Sequence, residues 1–460
     1  MVKSTKYSIP YQIFTVLTGA LLMGFMWRVR GTHGWGSSWG LLAAGFMFTM
    51  FITMVKGQRE KLNLGKLAVI GFAFMLTTPA WGTLLGQITG VIFKAEDLVD
   101  LVSLNSAYAN DVYCSVPSAL YIMLSLGFGL ASLFGIFLGH SFSGKAWKIK
   151  DYIILIAVFF AVDLIGKATL PHLILDLIQP QAVEVFEAGC KAQGIEGTAW
   201  QVYMQHFDNV SWAKKIVGGR NYFQSVEMIT YAMKSVAVLL TTRFIIKDKR
   251  AATTGFIVCG AFAFSITVSD LFFYFGNGGY HMLAENYFGD NVAPWSCWEY
   301  FTGFIAGGII TAYMLGIKDE EDVTDLAFEK VPKKAADILI FLLGYIFLIG
   351  VNIVRPVLER YDESKLQILY VVISVLVAVA LVAVLVKKWG FAAEKTSMVK
   401  VSSALLPLFM ALIFISYMFL CSESYRNYTS ITMVHNLLVV VSLIAVTAWC
   451  GVHTKKYIAK

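Results

Sequence analysis

Twelve apolar stretches, each near the ~20 residues a helix needs to cross a ~30 Å hydrocarbon layer, recur along the 460 residues, and no feature limits the fold more. They lie near 11–28, 37–55, 67–93, 117–140, 152–172, 225–246, 253–276, 298–317, 337–356, 367–386, 401–421 and 429–450. In lipid, a backbone must satisfy its own N–H and C=O groups, and uninterrupted apolar runs of this length do so as helices. A chain that is 57% hydrophobic and 15% charged falls outside the composition of soluble domains. The expected fold class is therefore all-α: a polytopic integral membrane helix bundle of about twelve transmembrane helices.

Positive residues near span ends are held in the cytoplasm. With the N-terminus inside, the segments predicted to be cytoplasmic carry 24 Lys and Arg, and the short external loops carry 7. Both termini are expected in the cytoplasm, and the chain in the plasma (inner) membrane as a multi-pass protein. The first span follows Lys3 and Lys6 but has no small-residue cleavage site after it, so it reads as a retained helix. The net charge of +7 sits at helix ends facing an anionic leaflet and calls for no nucleic-acid partner.

Glycine divides the chain. Of 38 glycines, 34 precede residue 320, and small residues let membrane helices approach closely or bend. Residues 1–317 are expected to form a Gly-rich core bundle of eight helices with external loops 173–224 and 277–297. A charged cytoplasmic linker follows at 318–336, containing KDEEDVTDLAFEKVPKK. Residues 337–460 then form four peripheral helices, free to face lipid or to build a homo-oligomer. The segment VEVFEAGCKAQGIEGTAWQVYMQHF in the first loop is amphipathic enough for one or two helices along the membrane face.

Of six cysteines, Cys114, Cys190, Cys297 and Cys421 map to the external side, whereas Cys259 and Cys450 lie inside spans. External pairing in an oxidising compartment and simple apolar filling at helix ends both fit, because sequence spacing does not give distance. No Cys/His cluster has metal-site spacing, so neither a metal nor a cofactor is expected.

The ionisable residues fall in two layers. The outer layer begins with FMWRVRGTHGWGSSWGLL, where Arg28, Arg30, His33, Trp35 and Trp39 stand among four glycines. Arginines fork onto carboxylate or phosphate, glycines expose N–H groups that cradle anions, and tryptophans offer stacking faces. Glu227 and His281 join the same layer as substrate-binding candidates. Taken singly, each residue also fits a helix-end charge reaching water, or an aromatic belt. The inner layer is Asp163, about 18 Å from the cytoplasmic end of its span, and Lys234, about 15 Å from the external end of its own, at ~1.5 Å rise per residue. Asp163 and Lys167 are four apart in the favourable acid-first order. A charge at this depth costs roughly 2.5–3.5 kcal/mol, which a structural pair or an ion-coupling site would offset.

These features point to a secondary transporter of a small polar solute, an anion if the arginines set its sign, with Asp163, Lys167 and Lys234 in coupling. The alternative is a membrane-embedded glycosyl or acyl transferase using a lipid-linked donor at the outer leaflet. There Asp270, Glu285 and Glu299 would supply the base and the arginines would hold phosphate.

Overall fold

The computed structural model describes residues 7–32, 38–56, 64–76, 116–274, 294–317, 398–415 and 433–458, with Val372, Ile373, Leu376 and Ala380. Among them the regular structure is helical throughout. The helices are α1 (Ile9–Thr32), α2 (Ser38–Lys56), α3 (Leu64–Met75), α4 (Val116–Gly129), α5 (Ser132–His140), α6 (Ile149–Ala168), α7 (Leu170–Ile178), α8 (Pro180–Ala192), α9 (Ala199–Gln205), α10 (Val210–Ala213), α11 (Gly219–Leu240), α12 (Lys249–Tyr274), α13 (Pro294–Gly316), α14 (Met398–Ile415) and α15 (Met433–His453). Four described segments are long and apolar enough to cross a membrane: Ile9–Arg28, Gly219–Ile245, Lys249–Ser269 and Leu437–Lys456, or up to six if each of two bent pairs is one span. The stretch predicted at 337–356, and most of 67–93 and 367–386, lie outside the described residues.

Both bends fall inside stretches predicted as single helices. The pair α4 and α5 turns by 41°, and α6 and α7 turn by 51°. The second bend has a clear cause. Pro171 carries no N–H, and its ring excludes a continued helix, so the carbonyl of Lys167 loses its usual donor. His172 Nε2 takes that place at 2.8 Å, and Trp200 Nε1 donates to the carbonyl of Ala168 at 3.0 Å. A side chain from α9, thirty-two residues on, thus helps close the open end of α6.

In the amphipathic segment 183–207, where one or two helices are expected, lie most of α8 and all of α9; with α7 and α10 they make four short helices after the bend, because each is stopped and restarted by a local signal. Thr198 and Gln201 cap α9 reciprocally, and Asn209 caps α10 through the N–H of Trp212 at 3.0 Å, as small polar residues do at helix starts. Gly218 then turns the chain into α11 at φ +73°, where an added Cβ would meet the backbone of Phe186 at 2.9 Å. Only glycine fits there without strain. These four helices form a cap over the junction of α6 and α11.

Small residues set the closest crossings. On α13, a Cβ at Gly303 would collide with the carbonyl of Met23 on α1, and one at Gly307 would lie 2.6 Å from the carbonyl of Gly19. Gly135 and Gly139 of α5 face Gly255, Thr254 and Ala251 of α12 in the same way. Such four-residue spacing brings two helix backbones together and adds dispersion contact, the main attraction available within a membrane. Between these seams the rings of Trp27, Phe74, Phe134 and Phe262 fill the centre, with Phe74 stacked on Phe134 at 4.4 Å.

The C-terminal helix is built into this bundle. From α15, His453 Nδ1 meets the Tyr11 hydroxyl at 2.6 Å, Trp449 Nε1 donates to Thr15 Oγ1 at 2.9 Å, and Ser442 bonds Tyr300 of α13 at 2.6 Å. All three bonds are buried.

Candidate functional site

The sequence-predicted inner residues come together where α6 faces α11 beneath the cap. Leu155, Phe159, Asp163 and Gly166–Lys167 recur at helical spacing on the packed side of α6, and Glu227, Tyr231 and Lys234 line one face of α11. Lys234 Nζ donates to Asp163 Oδ1 at 2.7 Å, and Lys167 Nζ lies 3.6 Å from Asp163 Oδ2. One carboxylate therefore serves two ammonium groups, one on each helix. Lys234 also sits over the rings of Tyr231 and Phe159, at 3.5 and 4.3 Å, a favourable place for a desolvated cation.

The cap completes the group with a residue that sequence spacing did not single out. Asp208, held at φ +58°, accepts a 2.7 Å hydrogen bond from Lys167. The side chains of Lys234 and Lys167 are 3% and 9% exposed, against 27% for Asp163 and 43% for Asp208. The network thus runs from a buried ammonium to a carboxylate at the surface. Glu227 joins through electrostatics with Lys167, Asp208, Lys234 and Asp163, and it has no hydrogen bond or ion pair among the described residues. The buried Tyr203 hydroxyl on α9 likewise has no hydrogen-bond partner among them. Burial first, and then Asp208, Glu227 and Asp163, hold its phenol well above the ordinary range, so it remains a proton donor at neutral pH.

Below the Pro171 bend, His172 donates through Nε2 to a carbonyl, so its neutral tautomer accepts the Tyr222 hydroxyl at Nδ1, 2.7 Å away. That assignment follows from the hydrogen-bond pattern.

The outer residues are distributed differently. Arg28 and Glu299 form a buried ion pair between α1 and α13, with side chains 2% and 1% exposed. Arg30, Trp39 and Asp270 lie on described helices, but their side chains lie outside the described residues, as do His33, Trp35, His281 and Glu285 altogether. Cys190, Cys259 and Cys450 are buried free thiols. Cys114 and Cys421 lie outside the described residues.

A second polar cluster stands at the other end of the bundle. Asp248, at the start of α12, accepts four hydrogen bonds of 2.9 Å, from His140 Nδ1, Ser143 Oγ, Trp147 Nε1 and the Ala251 N–H. His140 stacks on Trp147 at 4.1 Å. Burial pushes the Asp248 carboxyl up, but the donors, His140 foremost, pull it further down, and it ends below its ordinary value of 3.8. The cluster ties α5, the segment after it and α12 together. Its only sequence signal is one acid among the basic residues of KDKR at 247–250.

Charge, hydroxyl and aromatic groups around Asp163 can hold a cation or pass a proton, and they can exchange partners without breaking a covalent bond. No protein-family model, curated protein or solved structure matches the chain.

Proposed function

We propose that the chain is a secondary transporter of a small polar solute, with twelve spans, both termini in the cytoplasm, and the plasma membrane as its site. The observation that carries this reading is the sharing of Asp163 between Lys234 and Lys167. A bundle that needs only packing is served as well by apolar side chains, since desolvating an ion pair offsets most of its attraction. Charges kept in helices of this kind mark ion or substrate paths.

The partner pattern suggests how the site turns over. Lys167 has two carboxylates to choose from, Asp163 on its own helix and Asp208 in the cap. Moving the cap away would break the second of these pairs and keep the first, leaving Lys167 to lean on Asp163 and weaken the hold on Lys234. Two such pairings form a bistable element that a bound solute can bias. An anionic solute would be met by Arg30 and His33, because the charge of Arg28 is already matched by Glu299. The outer-leaflet transferase draws on that same Glu299 and gains no observation of its own.

The test is uptake. Proteoliposomes holding the full chain are given an inward pH gradient and a mixture of amino acids, organic acids and sugars, and trapped solutes are read by mass spectrometry. At least one solute should accumulate above both empty liposomes and Asp163→Asn liposomes. Equal contents in all three would overturn the reading.

A further inference from the structure

Five ionisable side chains meet under the cap: Asp163 and Lys167 from α6, Glu227 and Lys234 from α11, and Asp208 from the segment after α9. With all five ionised the group carries three negative and two positive charges, leaving one negative charge uncompensated. The geometry locates it. Asp163 has two ammonium partners and Asp208 has one at 2.7 Å, whereas Glu227 has none among the described residues.

From the uncompensated charge and the residue that bears it, we infer that Glu227 is a proton-binding site, holding one exchangeable proton that makes the cluster neutral. A carboxylate set in a membrane helix without an ion pair of its own is stabilised most simply by taking up a proton. An independent observation points the same way. Tyr203 is 1% exposed, its hydroxyl has no hydrogen-bond partner among the described residues, and it is within electrostatic reach of Glu227, Asp208 and Asp163. A buried hydroxyl without a partner is available to a carboxyl whose hydrogen bonding changes with protonation.

Of the other elements packed on α11, α7 and α8 bring His172, Asp176 and Glu187. These gather around Tyr222 instead. On α11 itself, Tyr231 lies between Glu227 and Lys234. Asp208 and Asp163 are 43% and 27% exposed and Glu227 is itself only partly buried, so the cluster is open to protons from water. The proton's role in coupling rests on the transport reading above, but its presence does not.

The experiment is infrared difference spectroscopy of the full chain in lipid nanodiscs, titrated with acid while the carboxylic-acid C=O stretch is followed. The wild-type protein should develop a band that Glu227→Gln lacks, that changes frequency in Glu227→Asp, and that shifts in Tyr203→Phe. Gel filtration and melting temperature establish that each variant is folded. If Glu227→Gln fails to fold, the band in the other two variants decides, and a band unmoved in both overturns the inference. So does a wild-type spectrum identical to that of folded Glu227→Gln. Runs in sodium and choline chloride separate a proton from an alkali ion, and a band that follows sodium and ignores pH overturns the proton. A Glu227-dependent band without solute uptake leaves the proton site standing and removes the transport reading. Uptake without such a band does the reverse.

Discussion

Lys234 on α11 donates to Asp163 on α6 at 2.7 Å, while Lys167, one turn along α6, stands 3.6 Å from the other oxygen of the same carboxylate. Replacing Asp163 by Asn keeps an acceptor for Lys234 but removes the charge that two ammonium groups share. Breaking a buried pair typically costs ~3–5 kcal/mol. The loss should fall at the lower end or below it, because Asp163 is partly exposed and Lys167 retains Asp208. Asp163→Asn is expected to melt at a lower temperature and to lose accumulation. Adding Lys234→Met should recover the melting temperature without the uptake. Recovery of both would show that the trio serves packing alone.

That trio was legible because its two signals are local or helical: acid-first spacing within α6, and equal depth on two apolar helices. Helix positions were readable for the same reason, so stretches predicted at 11–28 and 253–276 correspond to α1 and α12. The bend at Thr169 was hidden, since Pro171 near the end of an apolar run reads equally as a helix end. Asp208 and Tyr203 were hidden for a different reason. They reach the site from a cap whose fold depends on turns, and no periodicity in the sequence relates them to α6. The His140–Asp248 pair spans 108 residues and lies at the ends of two helices, where charged residues are expected anyway.

The Arg28–Glu299 pair gives a prediction about stability. Arg28→Ala removes one half of a buried ion pair, a loss of ~3–5 kcal/mol by the usual range. Arg28→Met combined with Glu299→Gln removes both charges and should regain most of it. Thermal unfolding in detergent, followed by tryptophan fluorescence, measures each. Equal destabilisation in the single and double variants would mean that the two residues do not act as a pair.

The glycine seams make a sharper demand, because the obstacle is backbone. Gly303→Ala places a methyl group against the Met23 carbonyl, and Gly307→Ala places one against Gly19. Either should force α1 and α13 apart and reduce the yield of monodisperse protein. Gly260→Ala is the control, since nothing lies within 4 Å of the added Cβ. Removing glycine from a helix interior there should stabilise by roughly 0.5–1 kcal/mol. If all three variants behave alike in size-exclusion chromatography, close backbone approach does not hold these helices together.

The last expectation concerns pH and the four-donor carboxylate of Asp248. Its folded-state value lies below the ordinary 3.8 because His140, Ala251 and Trp147 donate to the ionised form and outweigh the effect of burial. A depressed carboxyl contributes stability that is fully present above the unfolded value and is lost as pH falls through the folded one. The contribution should therefore be constant near neutrality and disappear only below about pH 4, near the unfolded carboxyl value. Asp248→Asn loses the charge and leaves the Trp147 N–H facing an amide that can satisfy fewer donors, which should cost about 1–3 kcal/mol at pH 7. Melting temperatures of wild type and Asp248→Asn, measured from pH 7 down to pH 3, should differ by a constant amount at first and then converge as the wild-type carboxylate protonates. A gap that persists unchanged to pH 3 would mean that the ionised carboxylate is not what ties α5 to α12.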